Sequence, residues 1–237
     1  MNSTFHLEEW KEKLALASQI LYMEGHGDFY LGHVSVRLPD QDAYLMKPSG
    51  LGLEEIQSSD VVTVDFDGNR LAGDRPVHNE HPIHGEIYRR RPDVQAVVHT
   101  HPPYATALAA AGRPLAMVNH DCIPFARGLG YFDEPILLVT KDQGIRLAEA
   151  LASYNAVLLR NHGIVAVGTS LEEAVFHAIS LEKAARVQTI TDTMGACRTI
   201  EPEIALAMLE KFESMNPKRL QVIWNYLVRK LQRSDLG

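Results

Sequence analysis

Ala96-Val97-Val98-His99-Thr100-His101-Pro102-Pro103 is the stretch on which the reading of this chain turns. Its opening residues are apolar and rich in valine, and two prolines stop it, so it reads as a short buried strand. In an extended segment, residues two apart point to the same side. His99 and His101 therefore aim their imidazoles at one point where the strand ends. Two imidazoles on one face are a start for a divalent metal site. Equally, a ring at a strand end can do no more than satisfy a local hydrogen bond.

On the upstream side, a helix begins near Pro82, a residue suited to a first helical turn, and runs to Arg91. That places Glu80 just ahead of a helix N-terminus, where the dipole favours a carboxylate. Further upstream, residues 7–24 carry Trp10, Leu14, Ala17 and Leu21 at helical spacing, with Gly25 as the terminator. Residues 32–38 alternate as a strand, 43–47 form its hairpin partner, and 61–65 make another strand closed by the turn at 66–69. Between them, Pro48-Ser49-Gly50-Leu51-Gly52 is a turn whose amides can approach an anion or a carbonyl oxygen.

Downstream, 104–111 reads as helix, 124–130 as loop, 136–139 as strand and 144–151 as helix. Residues 156–168 read as two strands hinged at Asn161-His162-Gly163. Thr169-Ser170-Leu171-Glu172-Glu173 resembles a capping box and starts a long helix reaching Thr193. Two more helices are expected at 204–212 and 218–231. The pattern predicts an α/β chain with a mostly antiparallel central sheet, folded as one domain over 1–237.

The composition narrows the functional classes. A net charge of -7 argues against a general nucleic-acid binder, and Arg89-Arg90-Arg91 suits the C-terminal end of a helix better than a phosphate footprint. The first ten residues lack the apolar core of a signal peptide, and no apolar run approaches a membrane span. Cys122 and Cys197 are far apart and read as reduced thiols. A cytoplasmic enzyme with a small-molecule substrate is the expectation. Eleven histidines are many for 237 residues, and several fall between His78 and His120. His99, His101 and the remote His162 each sit where a strand meets a turn, and three imidazoles would leave coordination positions open, as catalytic sites require. Glu80 is either an exposed carboxylate at a helix start or a general acid/base. The turns holding His33, Ser49 with Gly50, and His78 with Asn79 are either ordinary turn chemistry or a grip for a substrate anion.

Taken together, the chain resembles the class II aldolase/adducin family from about Leu14 to Thr189. Gly32-His33-Val34-Ser35-Val36-Arg37 is similar to the family's early turn, and Pro48-Ser49-Gly50 to its substrate turn. Glu80 with His84-Gly85-Glu86-Ile87-Tyr88 is similar to its glutamate-plus-helix segment. Val97-Val98-His99-Thr100-His101 with Arg160-Asn161-His162-Gly163 is similar to its metal motif.

The resemblance implies a three-layer α/β/α fold and a divalent metal on His99, His101 and His162, most often zinc, with manganese, iron or cobalt as alternatives. It implies Glu80 as the acid/base and as a further ligand when no substrate is bound. It also implies a homotetramer with the C-terminal helices, about 201–232, at a subunit boundary, and it leaves Tyr226 as a loose candidate for a tyrosine donated by a neighbour.

Sugar-phosphate aldolases of the family have asparagine where this chain has His33, and two serines where it has His78 and Asn79. Only Ser49-Gly50 is kept. In Gly25-His26-Gly27-Asp28 with Leu31-Gly32-His33-Val34-Ser35, and in His78-Asn79-Glu80-His81-Pro82-Ile83-His84, the chain resembles the branch that decarboxylates dihydroxyphthalate and dihydroxycumate. The implied activity is a metal-dependent carboxy-lyase whose dihydroxylated aromatic acid chelates the metal through adjacent hydroxyls. His33, Ser49, Gly50, His78 and Asn79 would bind that substrate. An aldolase or epimerase acting on a hydroxy-carbonyl or sugar phosphate is the alternative, and a non-catalytic adducin-like scaffold a third.

Overall fold

A computed structural model describes residues 6–195 and 197–234; residues 1–5, half of the stretch read as lacking a leader, lie outside them. Its centre is an eight-stranded sheet in the order β4-β3-β2-β1-β5-β8-β7-β6. The strands are β1 (His33–Arg37), β2 (Ala43–Met46), β3 (Val62–Asp65), β4 (Arg70–Ala72), β5 (Ala96–Thr100), β6 (Gly130–Phe132), β7 (Ala156–Leu159) and β8 (Gly163–Gly168). Every pairing is antiparallel except β6 with β7. The histidine strand β5 thus lies in the middle, between β1 and β8.

Alternation along the strands sorts the core into two layers. Val34, Val36, Ala96, Val98, Ile164 and Ala166 face one side. There they pack on α1 (Leu7–Leu21), α3 (Pro103–Ala110), α5 (Leu171–Thr193) and α7 (Asn216–Ser234). Val97, Val157, Val165 and Val167 face the other, under α2 (His81–Arg90) and α4 (Lys141–Leu151). Each such valine, buried whole, contributes about 1.5–3 kcal/mol. The result is the α/β/α sandwich expected. α6 (Pro202–Ser214) packs Ala205 and Leu209 on Ile123 at the periphery.

Local chemistry sets the element ends. Thr140 caps α4: its hydroxyl accepts from the Gln143 amide, and Gln143 Oε1 accepts in return from Thr140 N–H. The cap starts that helix at Lys141, one turn before the start expected. The Glu182 carboxylate on α5 accepts from the Tyr104 and Ala105 amides, which α3 leaves free at its first turn. That pair of bonds pins the chain just after His101.

One expected strand is absent. Residues 136–139 run as coil, and the partner of β7 is instead β6, which starts at Gly130, the last residue of the segment read as loop. The apolar run at 136–139 drew the wrong inference because only Leu138 of its last three residues is buried; Leu137 is 66% exposed.

Candidate metal and substrate site

β1, β5 and the β7–β8 hinge bring His33, His99 and His162 to one place. His33 and His99 are cross-strand partners, so they share the face under α2. His162 arrives from the β7–β8 hinge. Asn161 takes a left-handed conformation there (φ 55), which asparagine tolerates better than most residues. Gly163 follows; a Cβ on it would sit 2.4 Å from the Thr100 carbonyl and 2.6 Å from the His101 ring. Only glycine lets β8 close on β5 tightly enough to bring His162 beside His101. Glu80 stands at the N-cap position of α2 without a side-chain capping bond, which leaves its carboxylate for these rings.

The result is a quartet. One ligand atom from each of Glu80, His99, His101 and His162 lies within 4.8 Å of the others. His101 Nε2 is 3.1 Å from His99 Nε2, His99 Nε2 is 3.4 Å from Glu80 Oε2, and His162 Nε2 is 3.7 Å from Glu80 Oε1. Two nitrogens about 2.05 Å from a tetrahedral zinc stand about 3.3 Å apart. The edges of the quartet bracket that length, so the donor set and its spacing fit a small divalent cation.

The neighbours orient the quartet. His99 Nδ1 donates to the Ile164 carbonyl at 2.9 Å, leaving Nε2 for the cluster. His101 Nδ1 faces the Asp28 carboxylate at 2.9 Å, which likewise leaves its Nε2 free. Glu80 Oε1 accepts from the Leu138 amide at 2.9 Å. The coil at 136–139 therefore has a use that a strand could not serve: its main-chain donor faces the carboxylate rather than a neighbouring strand.

Burial pushes the His162 ring down to about 3, helped by His99, and lowers His101 against the opposing pull of Asp28. Neutral rings are the ligand form of imidazole. Burial would raise Glu80, but the His33 and His99 rings outweigh it and hold the carboxyl below its ordinary range.

The expected substrate residues divide. His33 is wholly buried, with its ring 4.8 Å from His99 and 4.3 Å from His78. His78 is buried and Asn79 exposed, and both line a recess of about 500 Å³ with Val77, His81 and Val139. In the Pro48-Ser49-Gly50 turn the Ser49 amide is taken by the Pro76 carbonyl, while Gly50 is exposed at φ 87. Tyr226 is not brought to the quartet within one chain. It is 55% exposed on α7, whose Trp224 and Leu227 pack on the opposite side of the sheet.

Sequence reading missed Asp28, the Leu138 amide and Lys47. Lys47 is fully buried at the end of β2, its ammonium donating to the carbonyls of Tyr30 and Pro48. Burial pushes it down to about 8. Burial, then the nearby Lys47 charge, pushes His78 down to about 4. Met46-Lys47 carries no mark in the sequence beyond its strand pattern. Asp28 was visible only as the end of the Gly25-His26-Gly27-Asp28 segment, with no role attached to it.

With this geometry in view, comparison with known proteins is direct. Residues 12–189 match the Class II Aldolase and Adducin N-terminal domain, and the chain belongs to that family. Class II aldolases use a divalent metal ion, which agrees with the quartet.

A 3,4-dihydroxyphthalate decarboxylase from Arthrobacter keyseri is 34% identical over 215 residues, covering 84% of this chain and 85% of that one. The Meiotically up-regulated gene 14 protein of Schizosaccharomyces pombe is 33% identical over 208 residues, 85% of this chain and 81% of its own. Among solved structures, an L-fuculose 1-phosphate aldolase from Glaciozyma antarctica superposes with a TM-score of 0.84 at 27% identity, covering 98% of this chain and 94% of that one. The relatives thus include both a decarboxylase and an aldolase, two kinds of carbon–carbon lyase. No described helix is long and apolar enough to cross a membrane.

Proposed function

We propose that the chain is a metal-dependent carboxy-lyase acting on a dihydroxylated aromatic carboxylic acid. His99, His101 and His162 hold a divalent ion, zinc in the first instance, and Glu80 moves the proton. The observation that carries this reading is the wall beside the quartet, where the His33 and His78 rings stand 4.3 Å apart. A neutral imidazole offers one donor and takes more room than a hydroxyl. Two of them fit a phosphate dianion poorly and a planar carboxylate with ring hydroxyls well. Lys47, buried next to His78, supplies one positive charge, the count a carboxylate needs.

When bound, the ion supplies a Lewis acid for the charge that breaking a carbon–carbon bond leaves on carbon. Glu80, held by the Leu138 amide through one oxygen and facing His33 and His99 with the other, takes a proton from a ring hydroxyl and delivers it to the ring carbon as the bond to the carboxylate breaks and CO2 leaves. His33, His78, Asn79, Ser49 and Gly50 grip the carboxylate and hydroxyls. Exposed Val222 and Tyr226 on α7 suit contact with a second copy, in keeping with a tetramer in which Tyr226 reaches a neighbour's site.

An aldolase or epimerase is the second reading, favoured by the retained Ser49-Gly50 turn and by the fold shared with the fuculose phosphate aldolase. Incubating the zinc-loaded protein with dihydroxybenzoates, dihydroxyphthalates and ketose phosphates separates the two. CO2 from a catechol acid is expected; aldehyde from a sugar phosphate with no CO2 from any acid overturns the proposal.

A further inference from the structure

Behind the quartet lies a second row of polar groups, closed to solvent. His33, Ser35 and His84 have no exposed surface, and Tyr88 is 1% exposed. They form one chain of hydrogen bonds. His33 Nδ1 lies 2.6 Å from His84 Nε2, His84 Nδ1 lies 2.6 Å from Ser35 Oγ, and Ser35 Oγ lies 2.7 Å from the Tyr88 hydroxyl.

The spacing of the two elements makes the chain possible. Glu80, His84 and Tyr88 recur every four residues along one stripe of α2, a rise of about 6 Å each. His33, Ser35 and Arg37 recur every two along the facing side of β1, about 6.8 Å each. The two rows therefore stay in step for three rungs.

Three links each hold one proton, and with Ser35 donating once the chain has two directions; a Ser35 that accepted from both sides would leave its own buried proton without an acceptor among the described residues. A neutral imidazole that donates through one nitrogen must accept through the other. In the first direction Tyr88 donates to Ser35, Ser35 to His84 Nδ1, and His84 Nε2–H to His33 Nδ1. His33 then carries its proton on Nε2.

The reverse direction fails at both ends. It leaves the buried Tyr88 proton without an acceptor among the described residues. It also turns the lone pair of His33 Nε2 toward Glu80 Oε2, 3.8 Å away. That nitrogen is buried and has no hydrogen-bond partner. A doubly protonated His33 is disfavoured because charging a ring with no exposed surface costs its hydration.

We infer that the Tyr88–Ser35–His84 chain locks His33 as an Nε2–H donor aimed into the site, so that His33 presents a hydrogen bond to an anionic oxygen and does not act as a fourth metal imidazole. Ser35, His84 and Tyr88 are positioning residues that act through His33. The oxygen it serves, on Glu80 or on a substrate carboxylate, rests on the function proposed above; the direction of the chain does not.

Long-range proton–nitrogen NMR of histidine-labelled, zinc-loaded full chain reads each ring's tautomer. Nε2–H is expected on both His33 and His84. An Nδ1–H tautomer at His33, or a metal-shifted His33 Nε2, overturns the inference. In Ser35→Ala a second tautomer is expected at His84, and Ser35→Thr restores the single form; an unchanged spectrum in Ser35→Ala removes Ser35 from the role. The wild-type spectrum decides the direction even if the variants do not fold. Zinc titration of the same protein keeps the two proposals apart. Failure to bind zinc with the expected tautomers defeats the metal reading alone, and bound zinc with Nδ1–H His33 defeats this one alone.

Discussion

Two groups of histidines lie within a few ångströms of each other and differ in what their second nitrogen does. His99 and His101 each tie Nδ1 to a protein oxygen, Ile164 O or Asp28, and turn Nε2 to a common point with Glu80 and His162. His84 has both nitrogens engaged inside the protein, one by His33 and one by Ser35. The first group turns one nitrogen of each ring to a shared point; the second has its nitrogens taken by neighbours. Residue type, burial and location scarcely separate them. The partner of each ring nitrogen does, and that partner is what mutations should address.

The largest expected effect is at the open group. His99→Ala should abolish zinc binding after dialysis and lower turnover by at least about 10³-fold, since charge stabilisation is commonly the dominant catalytic contribution. Metal content and initial rates check it; retained zinc would move His99 out of the ligand set. Glu80→Gln should keep the zinc and lose about 10²–10⁴-fold in rate, the range for a positioned acid/base. Rates near wild type would assign the proton transfer elsewhere.

Asp28→Asn sharpens the contrast, because it alters the partner of a proposed ligand and not the ligand itself. Zinc affinity should weaken by about 10–100-fold in competition with a chromophoric chelator. Tyr88→Phe belongs to the closed group and should leave zinc affinity unchanged. It should cost about 1–3 kcal/mol in urea unfolding, the penalty for a buried acceptor deprived of its donor. If Tyr88→Phe weakened zinc as much as Asp28→Asn, the two groups would be one network.

A pH test addresses a third buried ring on the far side of β5. His26 Nδ1 meets Thr100 Oγ1 at 2.8 Å, and burial pushes this histidine from 6.5 down to about 4. The unfolded chain takes up a proton near pH 6.5 that the folded chain refuses until about pH 4. Stability from this ring is therefore intact above pH 6.5 and falls as pH drops through that window. The loss is bounded by about 3 kcal/mol at 1.36 kcal/mol per pH unit. Urea midpoints of wild type and His26→Gln at pH 7 and pH 5 should converge; parallel shifts would exclude His26 as the source.

Much of the architecture was legible in the chain. Period-two alternation gave β1, apolar β-branched runs bounded by turns gave β5, β7 and β8, and helical periodicity with the Ser170 cap gave α1, α2 and α5, because these signals are local. The quartet was partly legible, since His99 and His101 share a face by strand geometry alone, and the motif resemblance added His162 and Glu80. The strand expected at 136–139 failed because an apolar run does not say what its amides will bond; here one of them faces Glu80.

What the sequence determined by itself is whatever depends on neighbours along the chain: the strand carrying two histidines, the hinge at Asn161-His162-Gly163, the stripe Glu80–His84–Tyr88 and the stripe His33–Ser35. What only the tertiary structure decided is which stripes meet. Alternation along β1 does not say what covers its polar side; α2 does, and the Ser35 hydroxyl and Arg37 guanidinium there are paired within the protein. Asp28, Lys47 and the Leu138 amide acquire their partners the same way, across 73 residues in the case of Asp28 and His101. Hydrogen bonds over such separations follow from the closure of the sheet and the docking of α2, and no local pattern in the chain encodes them.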